Sequence, residues 1–116
     1  MSNTNNIATE IGKAWGYHRD GRGKEAAAAF EVILKQDPNN IDANYGLGLS
    51  QKVNGDLQAA TQTFNTTLNL IKDSISIEEA RRNRDNPEDN VRTPEDDRLM
   101  MLQRMVEQRI AEVQTN

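Results

Sequence analysis

No cysteine occurs in the 116-residue chain. That removes disulfides, thiol nucleophiles and thiolate metal sites, and as a compartment signal it is neutral to weakly cytosolic. Aromatic residues are few, with two Phe, two Tyr and one Trp, so any core must be built mainly from Leu, Ile, Val, Met and Ala. No apolar run approaches the roughly 20 residues that span a bilayer, which points away from membrane insertion. The opening Met1-Ser2-Asn3-Thr4-Asn5-Asn6 is polar and has no apolar stretch of the secretory kind. The expected compartment is the cytoplasm, and Asn65-Thr66-Thr67, which fits the N-glycosylation pattern, is then a chance match. Basic residues are outnumbered, 14 Lys and Arg against 18 Asp and Glu for a net charge of −4. Neutralising phosphates takes a basic field, so nucleic-acid binding is not expected.

Catalytic and metal-binding patterns are missing too. His18 is the single histidine and has no carboxylate or cysteine partner in a motif, so it reads as a contact or surface residue. Gly21-Arg22-Gly23-Lys24 superficially resembles a phosphate loop, but no strand pattern precedes it and Glu25 stands where Ser or Thr is needed. It reads as a turn. The acidic residues Asp85, Glu88, Asp89, Glu95, Asp96 and Asp97 lack the alternating spacing of a calcium loop and read as a solvated run. Arg81, Arg82 and Arg84 read likewise as a solvated helix end. With no nucleophile, ligand cluster or cofactor motif, the expected protein is not an enzyme and carries no cofactor or metal.

What the chain does have is helical periodicity. By length it is one domain, 35% hydrophobic and 28% charged, polar for a globular protein but not disordered throughout. Residues 1–6 have nothing to bury and are expected to be a loose tail. Ile7, Ile11 and Trp15 recur at a spacing near four, which is helical. Asp20-Gly21-Arg22-Gly23 breaks that pattern with glycines suited to a tight turn. Ala26, Phe30, Ile33 and Leu34 mark a second helix, and Asp37-Pro38 ends it, because Pro has no N–H and restricts the residue before it. Asn40 caps a third helix carrying Tyr45, Leu47, Leu49 and Val53, which stops at Asn54-Gly55-Asp56. A fourth starts near Leu57 with Ala60, Phe64, Leu68 and Ile71.

Subtracting 34 superimposes the two halves: Ile41 falls on Ile7, Gly46 on Gly12, Gly55 on Gly21, Ala60 on Ala26, Phe64 on Phe30 and Leu68 on Leu34. Gly48 falls on Ala14, small for small. A fixed period of this length with a helix–turn–helix unit is a repeat architecture. Small residues at Ala14, Gly48, Ala26 and Ala60 mark helix crossings, and Phe30 and Phe64 fill space against the next hairpin.

On these residues, 7–74 resembles two tandem tetratricopeptide repeats, 7–40 and 41–74. The small–aromatic spacing of that family is carried by Ala14, Tyr17, Ala26, Phe30 and Pro38 in the first unit, and by Leu47, Gly48, Gly55, Ala60 and Phe64 in the second. Gln51, Thr67 and Lys72 depart from the pattern. The last matters most, because a Pro is usual there and nothing then stops the fourth helix near residue 72. The helix is expected to run on through Ile75, Glu78, Glu79 and Arg82, with a break at Ser74 or Ser76 as the alternative, since Ser76 and Glu79 form a capping-box pattern. Residues 83–92 read as an acidic, mobile loop.

Thr93-Pro94-Glu95-Asp96-Asp97 opens a last helix with a cap, a first-turn Pro and carboxylates at the positive end of the dipole. Leu99, Leu102, Met105, Val106, Ile110 and Val113 form its apolar stripe, with Arg98, Gln103, Glu107 and Glu112 outside. The expected fold is therefore all-α: a fragment of a right-handed α–α superhelix followed by an amphipathic helix over 93–116. Two repeats are fewer than a stacked array usually needs, and that helix either caps the repeats or docks on another chain.

The resemblance implies protein binding on a concave face lined by the first helix of each repeat. Those positions are Ile11, Trp15, His18, Arg19, Tyr45, Leu49, Lys52 and Val53, an apolar and aromatic strip with a cationic edge. The subfamily that clamps chaperone tails uses Lys and Asn where this chain has Ile11, Trp15 and Gly46, so that use is not expected. The expected function is an adaptor holding a partner helix or peptide in this groove. The alternative is a small constitutive subunit of a larger complex, anchored by its C-terminal helix, with self-association left open.

Overall fold

In the computed structural model, which describes residues 3–85 and 93–114, the two tight turns are copies of each other. Helix α1 spans Asn3–Arg19, α2 Gly23–Gln36, α3 Ile41–Val53, α4 Leu57–Asp85 and α5 Pro94–Gln114. After α1, Gly21 N–H donates to His18 O at 3.1 Å and Arg22 N–H to Tyr17 O at 2.9 Å. After α3, Gly55 N–H donates to Lys52 O at 3.1 Å and Asp56 N–H to Gln51 O at 2.9 Å, the same pair of bonds 34 residues on. Each glycine takes a positive φ, 78° at Gly21 and 86° at Gly55, as this helix-ending motif requires. Between α2 and α3, Asp37 leaves the helical region at φ −142° and ψ 78°. Asn40 Oδ1 then accepts the Ala43 N–H at 2.9 Å. The buried Asn44 amide donates to the Pro38 and Asn40 carbonyls at 3.1 and 2.9 Å, so that connection has no unpaired donor on Asn44.

The helices pack in chain order, α1 on α2, α2 on α3, α3 on α4 and α4 on α5, with α1 also touching α3. Ala14, Ala26, Ala43 and Ala60 are fully buried, as crossing points demand. Phe30 reaches Gly46 in the next hairpin, where an added Cβ would collide with its ring. Phe64 instead meets Gly48 of its own hairpin, 2.5 Å from a Cβ placed there. On the side of the next element it shares a buried cluster with Leu99, Val106 and Val113 of α5.

Two boundaries differ from the sequence reading, the start of α1 and the end of α4. Residues 3–6 belong to α1 rather than to a loose tail, because an established helix gains a hydrogen bond for each residue added. The fourth helix continues past Lys72 without a break at Ser74 or Ser76 and runs 29 residues against 14 for α2. It takes in residues 83–85, assigned above to the acidic loop, and the rest of that loop lies outside the described residues. Helix α5 starts where Thr93 and Pro94 place it, and runs antiparallel to α4. Arg82 near the end of α4 meets Asp96 at the start of α5 with Nη1–Oδ2 2.5 Å.

Candidate functional site

Trp15 and Tyr45 come from different repeats and stand side by side, ring centroids 6.4 Å apart. Each is half-buried and rests on a fully buried phenylalanine. Trp15 meets Phe30 edge-on at 5.1 Å, and Tyr45 lies 6.2 Å from Phe64. His18, one turn beyond Trp15, adds a second edge contact at 5.7 Å. Trp15 Nε1 donates to Asp42 Oδ1 at 3.1 Å, which ties the indole of α1 to the first turn of α3. The outcome is an aromatic shelf with fixed side chains, its outer rings accessible and its inner rings holding the core.

The other groove candidates divide. Ile11 packs with Trp15 against the core of the first hairpin. Leu49 packs with Tyr45 against the second cluster, which includes α5. Arg19 and Val53 are exposed and belong to neither cluster. Val53 turns toward the earlier turn, its Cγ1 3.5 Å from a Cβ built on Gly23. Lys52, read as part of the cationic edge, is engaged: its Nζ donates to Glu112 Oε1 of α5 at 2.7 Å. Arg109 donates to the same oxygen at 2.9 Å. The Lys52 hydrogen bond, with both cations nearby, holds the Glu112 carboxyl below its ordinary pKa.

An open cleft of about 440 Å³ lies beside Tyr45, lined by Asn39, Asn40, Ile41, Asp42, Arg98 and Leu102. Its walls are the start of α3 and the first turns of α5. Sequence reasoning missed Asp42 and put Arg98 on the outer face. Asp42 had a usable signal, since it sits three residues before Tyr45 and hence on the same helical face. Arg98 had none, because only the placement of α5 brings it to α3. Its guanidinium is paired with Glu95, Nε–Oε2 3.1 Å and Nη2–Oε1 2.9 Å, which raises the arginine's pKa and lowers the glutamate's.

On α5, Leu99, Val106 and Val113 are buried against Ala60, Phe64 and Ile71, and Leu102 and Ile110 pack at the edge of that cluster. Met105 departs from the expected stripe and is 39% exposed, because the buried seam follows a seven-residue spacing that leaves position 105 on its flank. Asp96 also departs from its reading as a solvated carboxylate. It is 5% exposed and caps the helix reciprocally with Thr93. Thr93 N–H donates to Asp96 Oδ2 at 3.0 Å, and Asp96 N–H to Thr93 Oγ1 at 3.1 Å. The Thr93 bonds lead the causes that lower its pKa, with Arg82 adding to them. Arg82 is thus a partner of a buried group and not a solvated helix end.

Among the described residues no group of His, Asp and Glu could hold a metal ion, and no helix is long and apolar enough to cross a membrane. Compared with protein-family models, residues 17–82, more than half of the chain, match the tetratricopeptide repeat. Neither the curated proteins nor the solved structures give a match.

Proposed function

The chain belongs to the tetratricopeptide repeat family, whose repeats generally mediate protein–protein interaction, and on that premise we propose that it is a non-catalytic cytoplasmic adaptor binding one partner segment across the Trp15–Tyr45 shelf. The observation that carries this reading is the pair of half-buried rings at 6.4 Å, one of them locked by its bond to Asp42. Large aromatic side chains that are already ordered lose little entropy on binding and make good interface anchors. A partner helix or extended segment would lay its apolar side chains along Ile11, Trp15, Tyr45 and Leu49. One anchor would enter the cleft between Ile41 and Leu102.

Selection from a displayed peptide library tests this, with the wild-type chain as bait and a Tyr45→Ala/Arg98→Ala variant as counter-bait. Peptides that bind the wild type should lose at least about tenfold in affinity for the variant, as for removal of an interface anchor. Circular dichroism guards against unfolding. Peptides that bind both baits equally, with both folded, would remove the shelf as the site.

The alternative, a complex subunit anchored by α5, draws on Met101 and Met105, 61% and 39% exposed on the flank of that helix. The stripe from Leu99 to Val113 that an anchor would use lies against α4. Sedimentation of the purified chain separates the two: the adaptor reading expects a monomer, and the anchored-subunit reading expects self-association or poor solubility.

A further inference from the structure

The turn between α3 and α4 contains Asn54-Gly55. Glycine leaves its backbone nitrogen unshielded, so an Asn followed by Gly is the pairing most open to attack of that nitrogen on the side-chain amide. Three features of the folded turn oppose the attack. Asn54 is helical at φ −75° and ψ −5°, far from the torsion that a five-membered ring requires. The Gly55 N–H is committed to the Lys52 carbonyl at 3.1 Å, so the nitrogen must lose that bond before it can lose its proton and react. The Asn54 side chain is also wedged against the start of α2, where a Cβ on Gly23 would collide with its Oδ1 and lie 3.3 Å from its Cγ.

We propose that Asn54 is a latent deamidation site that the closed α3–α4 turn holds inert and that becomes reactive whenever the turn opens. In the open turn the Gly55 nitrogen loses its proton and forms a bond to Asn54 Cγ. The Cγ–Nδ2 bond breaks and ammonia leaves with that proton. Water then opens the cyclic imide at one of its two carbonyls, which yields an aspartate at this position or its isoaspartyl isomer and consumes one water for each ammonia released. The first repeat already displays the ordinary product: Asp20-Gly21 occupies the same turn with the same bonds. An aspartate at position 54 therefore suits the turn backbone. What it changes is the joint between the repeats, where a carboxylate replaces a neutral amide against Gly23. The isoaspartyl form adds a backbone carbon and breaks the turn itself. Opening of this turn would in this way be recorded as an irreversible change at the seam between the two repeats.

The full chain is incubated at mildly alkaline pH, native and in denaturing urea, and position 54 is followed by peptide mass spectrometry and isoaspartate-specific methylation. Conversion is expected to be at least about tenfold slower in the native chain, in proportion to how seldom the turn opens. Gly23→Ala, which displaces the Asn54 side chain, is expected to raise the native rate toward the unfolded one. Equal rates in the two states, or an intact Asn54 in the unfolded chain, would overturn the proposal. So would a folded Gly23→Ala protein that reacts as slowly as the wild type. If Gly23→Ala does not fold, the comparison of native and unfolded wild type still decides.

Discussion

The two helical hairpins share a template and have different surroundings. Their turns use the same hydrogen bonds at the same offset, and Phe30 and Phe64 are equally buried. Yet the paired glycines Gly12 and Gly46 differ. Gly46 is pressed by the Phe30 ring, while a Cβ on Gly12 would meet nothing within 4 Å. In α3 the glycine admits the phenylalanine of the hairpin before it. In α1 no phenylalanine ring packs on the matching glycine among the described residues, so the same letter has no packing task there. The ends differ in the opposite sense. Helix α2 stops at Asp37-Pro38, whereas α4, with Lys72 in place of a Pro, extends alongside α5. A repeat position takes its physical role from what packs against it.

Removing the last neighbour should have the largest effect. Truncation after Arg92 uncovers Ile71 and Phe64 and discards the buried Leu99, Val106 and Val113. At about 1.5–3 kcal/mol for each such side chain, a loss of roughly 5 kcal/mol is expected. Coincident thermal melts of the two chains would show that α5 lends the hairpins no support.

The glycine pair sharpens the contrast. Gly46→Ala forces its methyl against the Phe30 ring and should cost about 1–3 kcal/mol, as overpacking does. Gly12→Ala, in an open helix interior, should stabilise by about 0.5–1 kcal/mol. Urea melts of both variants give the comparison directly, and equal shifts of one sign would mean that the neighbour is not what separates these positions.

The junction of α4 and α5 predicts a smaller, pH-dependent effect. Asp96 has a folded pKa below its ordinary value, chiefly through the Thr93 bonds and then through Arg82. Its contribution is therefore fully present above the unfolded carboxylate value of about 3.9 and is lost as pH falls through the lower folded value. Asp96→Asn should lower stability at neutral pH and flatten the acid limb of the stability curve. Thr93→Ala, which removes one capping bond, should cost about 1 kcal/mol. An unchanged acid limb in Asp96→Asn would assign the acid sensitivity to other carboxylates.

Much of the fold was legible because its determinants are local. Gly21 and Gly55 end helices through bonds that reach only a few residues back, and Asn40 and Thr93 start helices through bonds three residues forward. The absence of a Pro near Lys72 likewise predicted the run-on of α4. The site was less legible. Trp15 and Tyr45 were marked as a groove pair, and the structure brings them together, but it also makes both of them supports of the core. Lys52 was marked as part of a cationic edge with no partner named, because Glu112, 60 residues away, carries no local sign that it will reach it.

From the sequence alone follow the period, the turns between the hairpin helices, the small residues at the crossings and the family, since each depends on hydrogen bonds and sterics within a turn or on a spacing that recurs. Only the tertiary structure decided which faces are covered. Helix α5 was recognisable as amphipathic, but its position against α4 makes Asp96 a buried cap, draws Lys52 away from the edge and carries Arg98 to the cleft beside Tyr45. Those outcomes depend on where a helix docks, and docking is set by the summed burial of many side chains rather than by any short stretch of chain.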